Sequence, residues 1–113
     1  MSLQKEGIKA LVVPVVESVI DKANGSPNHY TVGNVLEIRG ENLMFDPTVV
    51  PFGVHLQSVA TGARVRATVY AMVTSGTILC VVPTGITGGQ RLVVTALVNG
   101  AQRESIYAEA LNG

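Results

Sequence analysis

His29, His55 and Cys80 are the nitrogen and sulfur donors of this chain, and Asp21, Glu41 and Asp46 are carboxylates standing beside turn-forming residues. A zinc site needs about three or four such donors converging, usually at short local spacing. Here a strand and two loops separate the imidazoles. Cys80 lies in the apolar run Ile78-Leu79-Cys80-Val81-Val82, where it reads as a small buried hydrophobe and not a nucleophile. Calcium takes about six to eight oxygen ligands, and no Asp-x-Asp-x-Asp repeat supplies them. Asp46 precedes Pro47 and reads as a turn initiator. Serine hydrolase chemistry needs a nucleophile on a sharp elbow, and no Gly-x-Ser-x-Gly occurs. The expectation is a protein that is not an enzyme, with no metal, no cofactor and no small-molecule substrate.

Thr84-Gly85-Ile86-Thr87-Gly88-Gly89 has the composition of a phosphate cradle. A cradle requires a following helix and a lysine, whereas the run Arg91 to Val98 that follows is strand-like. The loop therefore reads as a hairpin connection. Carbohydrate recognition favours aromatic platforms, and the chain has no Trp and three Tyr. Eight basic and eight acidic residues give zero net charge, with no run of either sign. Phosphate-backbone binding needs concentrated Lys and Arg, so DNA contact by this segment is not expected. Were it to occur, Arg39, Arg64, Arg66, Arg91 and Arg103 would be its nucleic-acid-binding residues, and they would have to share one surface. Tyr70 is expected on the same strand face as Arg64 and Arg66.

The elements that would carry these residues are short strands. Val35 to Arg39 alternates, with Leu36 and Ile38 on one face and Glu37 and Arg39 on the other. Gly53 to Gln57 sets Val54 and Leu56 opposite His55, and Arg64 to Met72 alternates as one continuous strand. Ser75-Gly76 turns the chain into Thr77 to Val82. Asn99-Gly100, the strongest hairpin signal, joins Arg91–Val98 to Glu104–Leu111. Upstream, two extended pieces are expected at about Lys9 to Val13 and Val16 to Asp21, with Pro14 at a bend and Asn24-Gly25 turning the chain. Strand–turn units at intervals of about ten residues describe an all-β antiparallel sandwich of about seven to eight strands. At 113 residues the chain suits one core. Residues 1–7 read as a leader or disordered N-terminus, with 1–3 an expression leader, and 8–113 as a single domain. Charged residues make up 14% of the chain against about 25% in an average domain. Such an electrically quiet surface fits a module that packs on a neighbour. No apolar run is long enough to span a bilayer.

Pro14-Val15-Val16-Glu17-Ser18-Val19, then Gly33-Asn34-Val35-Leu36-Glu37-Ile38-Arg39-Gly40-Glu41-Asn42-Leu43, then Val82-Pro83 before the loop Gly85 to Gly89, resemble the Ig-like domains of the IPT/TIG type. More narrowly, Gly40-Glu41-Asn42-Leu43-Met44-Phe45-Asp46-Pro47 followed by Gly53-Val54 is similar to an Ig-like domain of unknown function. That domain follows HU/IHF-like DNA-binding domains in Bacteroidetes proteins. The resemblance runs from about Val13 to Leu111 and rests on structural glycines, prolines and core positions. It implies an Ig-like sandwich serving as the accessory, C-terminal module of a nucleoid-type DNA-binding protein in the cytoplasm. Its partner would be a protein, the adjoining domain or a second copy. The alternative is an adhesion or binding module at the cell surface or outside the cell, where IPT/TIG-like domains also occur.

Overall fold

The alternating segments do form strands. In a computed structural model, which describes residues 12–113, nine strands follow one another without a helix: β1 (Val15–Asp21), β2 (Ser26–Pro27), β3 (Val35–Glu41), β4 (Gly53–Ser58), β5 (Arg64–Arg66), β6 (Tyr70–Val73), β7 (Thr77–Val81), β8 (Gln90–Val98) and β9 (Ala101–Leu111). They make a five-stranded sheet in the order β2-β1-β3-β7-β6 and a four-stranded sheet in the order β5-β4-β8-β9. Every strand pairing is antiparallel, and the two sheets stack as a β-sandwich. The expected seven to eight strands become nine because β2 is a two-residue ladder and because one expected strand divides. The expected piece at Lys9 to Val13 falls largely outside the described residues. Of it, Val12 and Val13 are irregular, and β1 begins after a buried Pro14.

The period of two places the core. Leu36 and Ile38 of β3, Val54 and Leu56 of β4, and Leu92, Val94 and Ala96 of β8 are sealed between the sheets with Ile78, Cys80 and Leu111. Each such Leu or Ile stabilises the fold by about 1.5–3 kcal/mol through burial. At the β8–β9 hairpin Asn99 and Gly100 both take positive φ, 51° and 78°, as a two-residue turn matching the twist of its strands demands. Gly40 is required for a different reason: β1 shifts register against β3 between Val16 and Ser18, and a Cβ on Gly40 would overlap the Val15 carbonyl.

Two connections differ from the sequence reading. The alternation from Arg64 to Met72 is broken: β5 pairs with β4, while β6 pairs with β7 in the other sheet. The crossing takes three steps, from buried Ala67 to half-buried Tyr70. An odd step flips the parity, so Val69 is left exposed and Tyr70 turns inward. The Tyr70 ring meets Phe45 edge-on at 5.2 Å, its hydroxyl donates to Ala67 O at 2.8 Å and accepts from Val54 N–H at 2.9 Å. The phenol thus pins the point where the chain changes sheets. Likewise, the glycine-rich loop before β8 is no hairpin. Both edges of β7 are already occupied, by β3 and β6, so the chain must cross to the second sheet to find a partner for β8.

Candidate functional site

The pairing registers decide which arginines meet. On the four-stranded sheet Arg66 lies opposite His55, and Arg64 lies opposite Gln57, which in turn faces Arg91. These residues point away from the side that carries Leu56 and Leu92, so Arg64, Arg66, Arg91 and His55 share the sheet's outer face. Glu104, across from Thr95, joins them. Arg39 is on the other sheet, bonded to Glu37 at 2.9 Å. Arg103 pairs with Ala96, whose side chain belongs to the core, so it projects from the opposite side of β9. Three of the five sequence candidates are therefore together and two are apart.

The three that share the face are engaged within the fold. Arg64 donates from Nη1 to Glu104 Oε1 at 2.6 Å and from Nε to Gln57 Oε1 at 2.8 Å. The bond from Arg64 holds the Glu104 carboxyl below its ordinary range. Arg66 donates to the carbonyls of Phe52 and Pro47, at 2.8 and 3.0 Å, tying the β3–β4 loop to β5. Arg91 reaches the Ala108 carbonyl at 3.3 Å. Long side chains spread in this way close over apolar surface: Val93 and Thr95 face outward by register, yet they are 0% and 3% exposed. Burial, then the charges of Arg64 and Arg66, push the His55 pKa down. Tyr70, expected on this face, stands inward instead. Its hydroxyl nevertheless approaches Gly53, where any Cβ would meet both it and the Arg66 guanidinium.

The second polar assembly lies at the end of the sandwich where β1 finishes. The Asp21 side chain is 0% exposed and accepts three bonds: from Ala23 N–H at 3.0 Å, from His29 Nδ1 at 2.7 Å and from the Thr31 hydroxyl at 2.6 Å. Burial alone would raise its pKa, but the bonds from Thr31, His29 and Ala23 together outweigh it and the net shift is downward. A carboxylate acceptor fixes the His29 proton on Nδ1. Beside this network Tyr30 donates to Gly88 O at 2.6 Å, and a mainly apolar cleft of about 360 Å³ runs between Val32 and Ile86, with His29 at its wall. Sequence reading placed Asp21 among turn carboxylates and His29 among loop histidines. Only the spacing Asp21, His29, Thr31 across one tight turn hinted that they would converge.

Two further sequence candidates, Cys80 and Asp46, are committed to structure. Cys80 is buried, and burial pushes its thiol up to about 12. Asp46 Oδ1 accepts from the Thr48 N–H and hydroxyl at 2.9 and 2.7 Å, the turn expected of it. Among the described residues no three His, Cys, Asp or Glu side chains are grouped to hold a metal ion.

No protein-family model matches the sequence, and no curated protein matches it. Among solved structures the chain is similar to a crystal structure of a candidate bacterial DNA-binding protein from Bacteroides vulgatus, with a TM-score of 0.73 and 20% identity. The alignment covers 96% of this chain and 54% of that one, so the chain spans about half the neighbour's length. At this identity the shared property is the fold.

Proposed function

We propose that this chain is an Ig-like module of the IPT/TIG type, without enzymatic activity, and serves as the accessory part of a larger DNA-binding protein acting on the nucleoid in the cytoplasm. The observation that carries this reading is the fold match, which takes in nearly all of this chain and only about half of a candidate DNA-binding protein. The strand order supports the Ig-like assignment: β1-β3-β7-β6 facing β4-β8-β9 follows the A-B-E-D and C-F-G order of immunoglobulin sandwiches. The module would work by contact with an adjoining domain, another protein or a second copy. Arg39, Arg64, Arg66 and Arg91 are spent on Glu37, Glu104 and backbone carbonyls, which supports assigning the DNA contacts to sequence outside this segment.

A second reading, direct DNA contact, is favoured by one observation: Arg64, Arg66 and Arg91 share an outer sheet face. Anisotropy titration of a labelled duplex with the 113-residue chain, repeated over a salt series, separates the two. The accessory reading expects no binding even at low salt. Micromolar binding that falls steeply with salt, at a logarithmic slope of about −0.9 per phosphate neutralised, would instead make the arginine face a nucleic-acid surface.

A further inference from the structure

Asparagine followed by glycine occurs three times, at Asn24-Gly25, Asn99-Gly100 and Asn112-Gly113. In such a pair the backbone nitrogen of the glycine can attack the side-chain amide carbon of the asparagine, because no Cβ screens it. All three asparagines are exposed, so access to solvent does not separate them. What separates them is how firmly the reacting groups are held. Attack needs the carboxamide and the following peptide plane to swing toward one another. Any bond that anchors the carboxamide, the glycine N–H or the asparagine carbonyl opposes that swing.

Two of the pairs are anchored. Asn24 Oδ1 accepts from Ser26 N–H at 3.0 Å, and the Gly25 N–H that would attack donates to Asp21 O at 2.7 Å. Asn112 donates from its N–H to Asn28 O at 3.1 Å and accepts at its carbonyl from Tyr30 N–H at 3.0 Å. Gly113 lies so close to the Tyr30 ring that a Cβ would overlap it. Asn99-Gly100 differs. It is the two-residue turn between β8 and β9, with both φ positive, and its flanks Val98 and Ala101 carry the pairing. Among the described residues, neither the Asn99 carboxamide and carbonyl nor the Gly100 N–H has a hydrogen-bond partner, and the space beside Gly100 is open.

We infer that Asn99 is a site of spontaneous self-modification, converted to aspartate and isoaspartate ahead of Asn24 and Asn112. The Gly100 nitrogen bonds to Asn99 Cγ, the bond from Cγ to the side-chain nitrogen breaks, and ammonia leaves with the Gly100 proton. Water then opens the cyclic imide at either of its carbonyls. One opening gives aspartate; the other gives isoaspartate, whose backbone runs through Cβ and is longer by that atom. Either product adds a negative charge to a chain of zero net charge. The longer backbone no longer fits a two-residue turn, so isoaspartate loosens the Val98–Ala101 pair that closes the β8–β9 hairpin.

The test is incubation of the whole chain in mildly alkaline buffer, native and in guanidinium chloride. Ion exchange collects the acidic species, and peptide mapping by mass spectrometry places them. In the native chain Asn99 should convert at least about tenfold faster than Asn24 or Asn112, as one anchoring hydrogen bond would give. In denaturant Asn24 and Asn99 should react at similar rates, because no fold then holds either. Asn99→Gly keeps a residue that accepts positive φ and should abolish the early acidic species. Asn24 or Asn112 matching Asn99 in the native chain, an equal preference for Asn99 in denaturant, or an early acidic species surviving Asn99→Gly would each overturn the inference.

Discussion

Asp21 and Gln90 sit at the same end of the sandwich and are equally closed to solvent, at 0% and 1%. Yet their surroundings differ in kind. The carboxylate, the more costly group to bury, has donors from three directions. The neutral amide has its nitrogen bonded and its oxygen bare. Burial of a polar group therefore does not by itself tell how fully it is paired; the tally of its partners does. Asp21 is a closed structural knot that holds the β1–β2 turn to the irregular segment after β2, whereas Gln90 keeps one buried acceptor without a partner.

The widest gap between these two should appear in stability. Asp21→Ala removes the acceptor of the Ala23 turn amide, the Thr31 hydroxyl and the His29 ring at a fully buried position, and should cost about 3 kcal/mol. Gln90→Leu removes an unpaired oxygen along with one good bond, and should change stability by less than about 1 kcal/mol. Urea midpoints for both variants check this, and equal losses would erase the distinction. The pH dependence has a definite sign. Asp21 titrates below its ordinary 3.8 in the fold, so its contribution is complete above that value and drains away as pH falls through the folded pKa. Asp21→Ala should lack that acid limb.

How far such differences can be read from sequence depends on range. Leu36 and Ile38, Val54 and Leu56, and the Asn99-Gly100 turn were legible because strand alternation and turn chemistry act within a few residues. The sheet change between Ala67 and Tyr70 was not, because alternation is blind to which sheet a strand joins. The crossing loop before β8 was misread as a hairpin for the same reason: composition reports a turn, and only the occupied edges of β7 forbid pairing. Of the polar assemblies, the Asp21 knot closes over ten residues and left a faint trace. Arg64 and Glu104 are forty positions apart, and no local pattern joins them.

The sheet crossing supplies a polar group intermediate between the two extremes. Tyr70 is half-buried with its single hydroxyl bonded on both sides. Tyr70→Phe keeps the contact with Phe45 and leaves the Val54 amide and Ala67 carbonyl unpaired, so it should cost about 2 kcal/mol, between Asp21→Ala and Gln90→Leu. Burial pushes its phenol up to about 12. Ultraviolet titration of the tyrosines should accordingly show one ionising near that value in the native protein, lost in the variant. A normal phenol at that position would mean the crossing is not held as described.

On the outer sheet face the smallest effect is expected, and its sign is informative. The side chains of Arg64 and Glu104 are 37% and 43% exposed, and ion pairs at such exposure are worth about 0–1 kcal/mol and are screened by salt. Glu104→Gln should therefore barely move the urea midpoint at neutral pH. His55 reports the lost charge instead. Its folded pKa already lies below 6.5, chiefly through burial and then the neighbouring arginines, with Glu104 pulling the other way. The unfolded chain takes up the proton first as pH falls, so stability declines from about pH 6.5 downward until the folded ring also protonates. Without the Glu104 carboxylate the folded pKa drops further and the decline runs to lower pH. Imidazole shifts followed by NMR should show this downward move, larger at low salt than at high. An unmoved His55 would mean that Glu104 exerts no charge across this face, leaving Arg64, Arg66 and Arg91 without the counterion that sets them apart from a phosphate-binding surface.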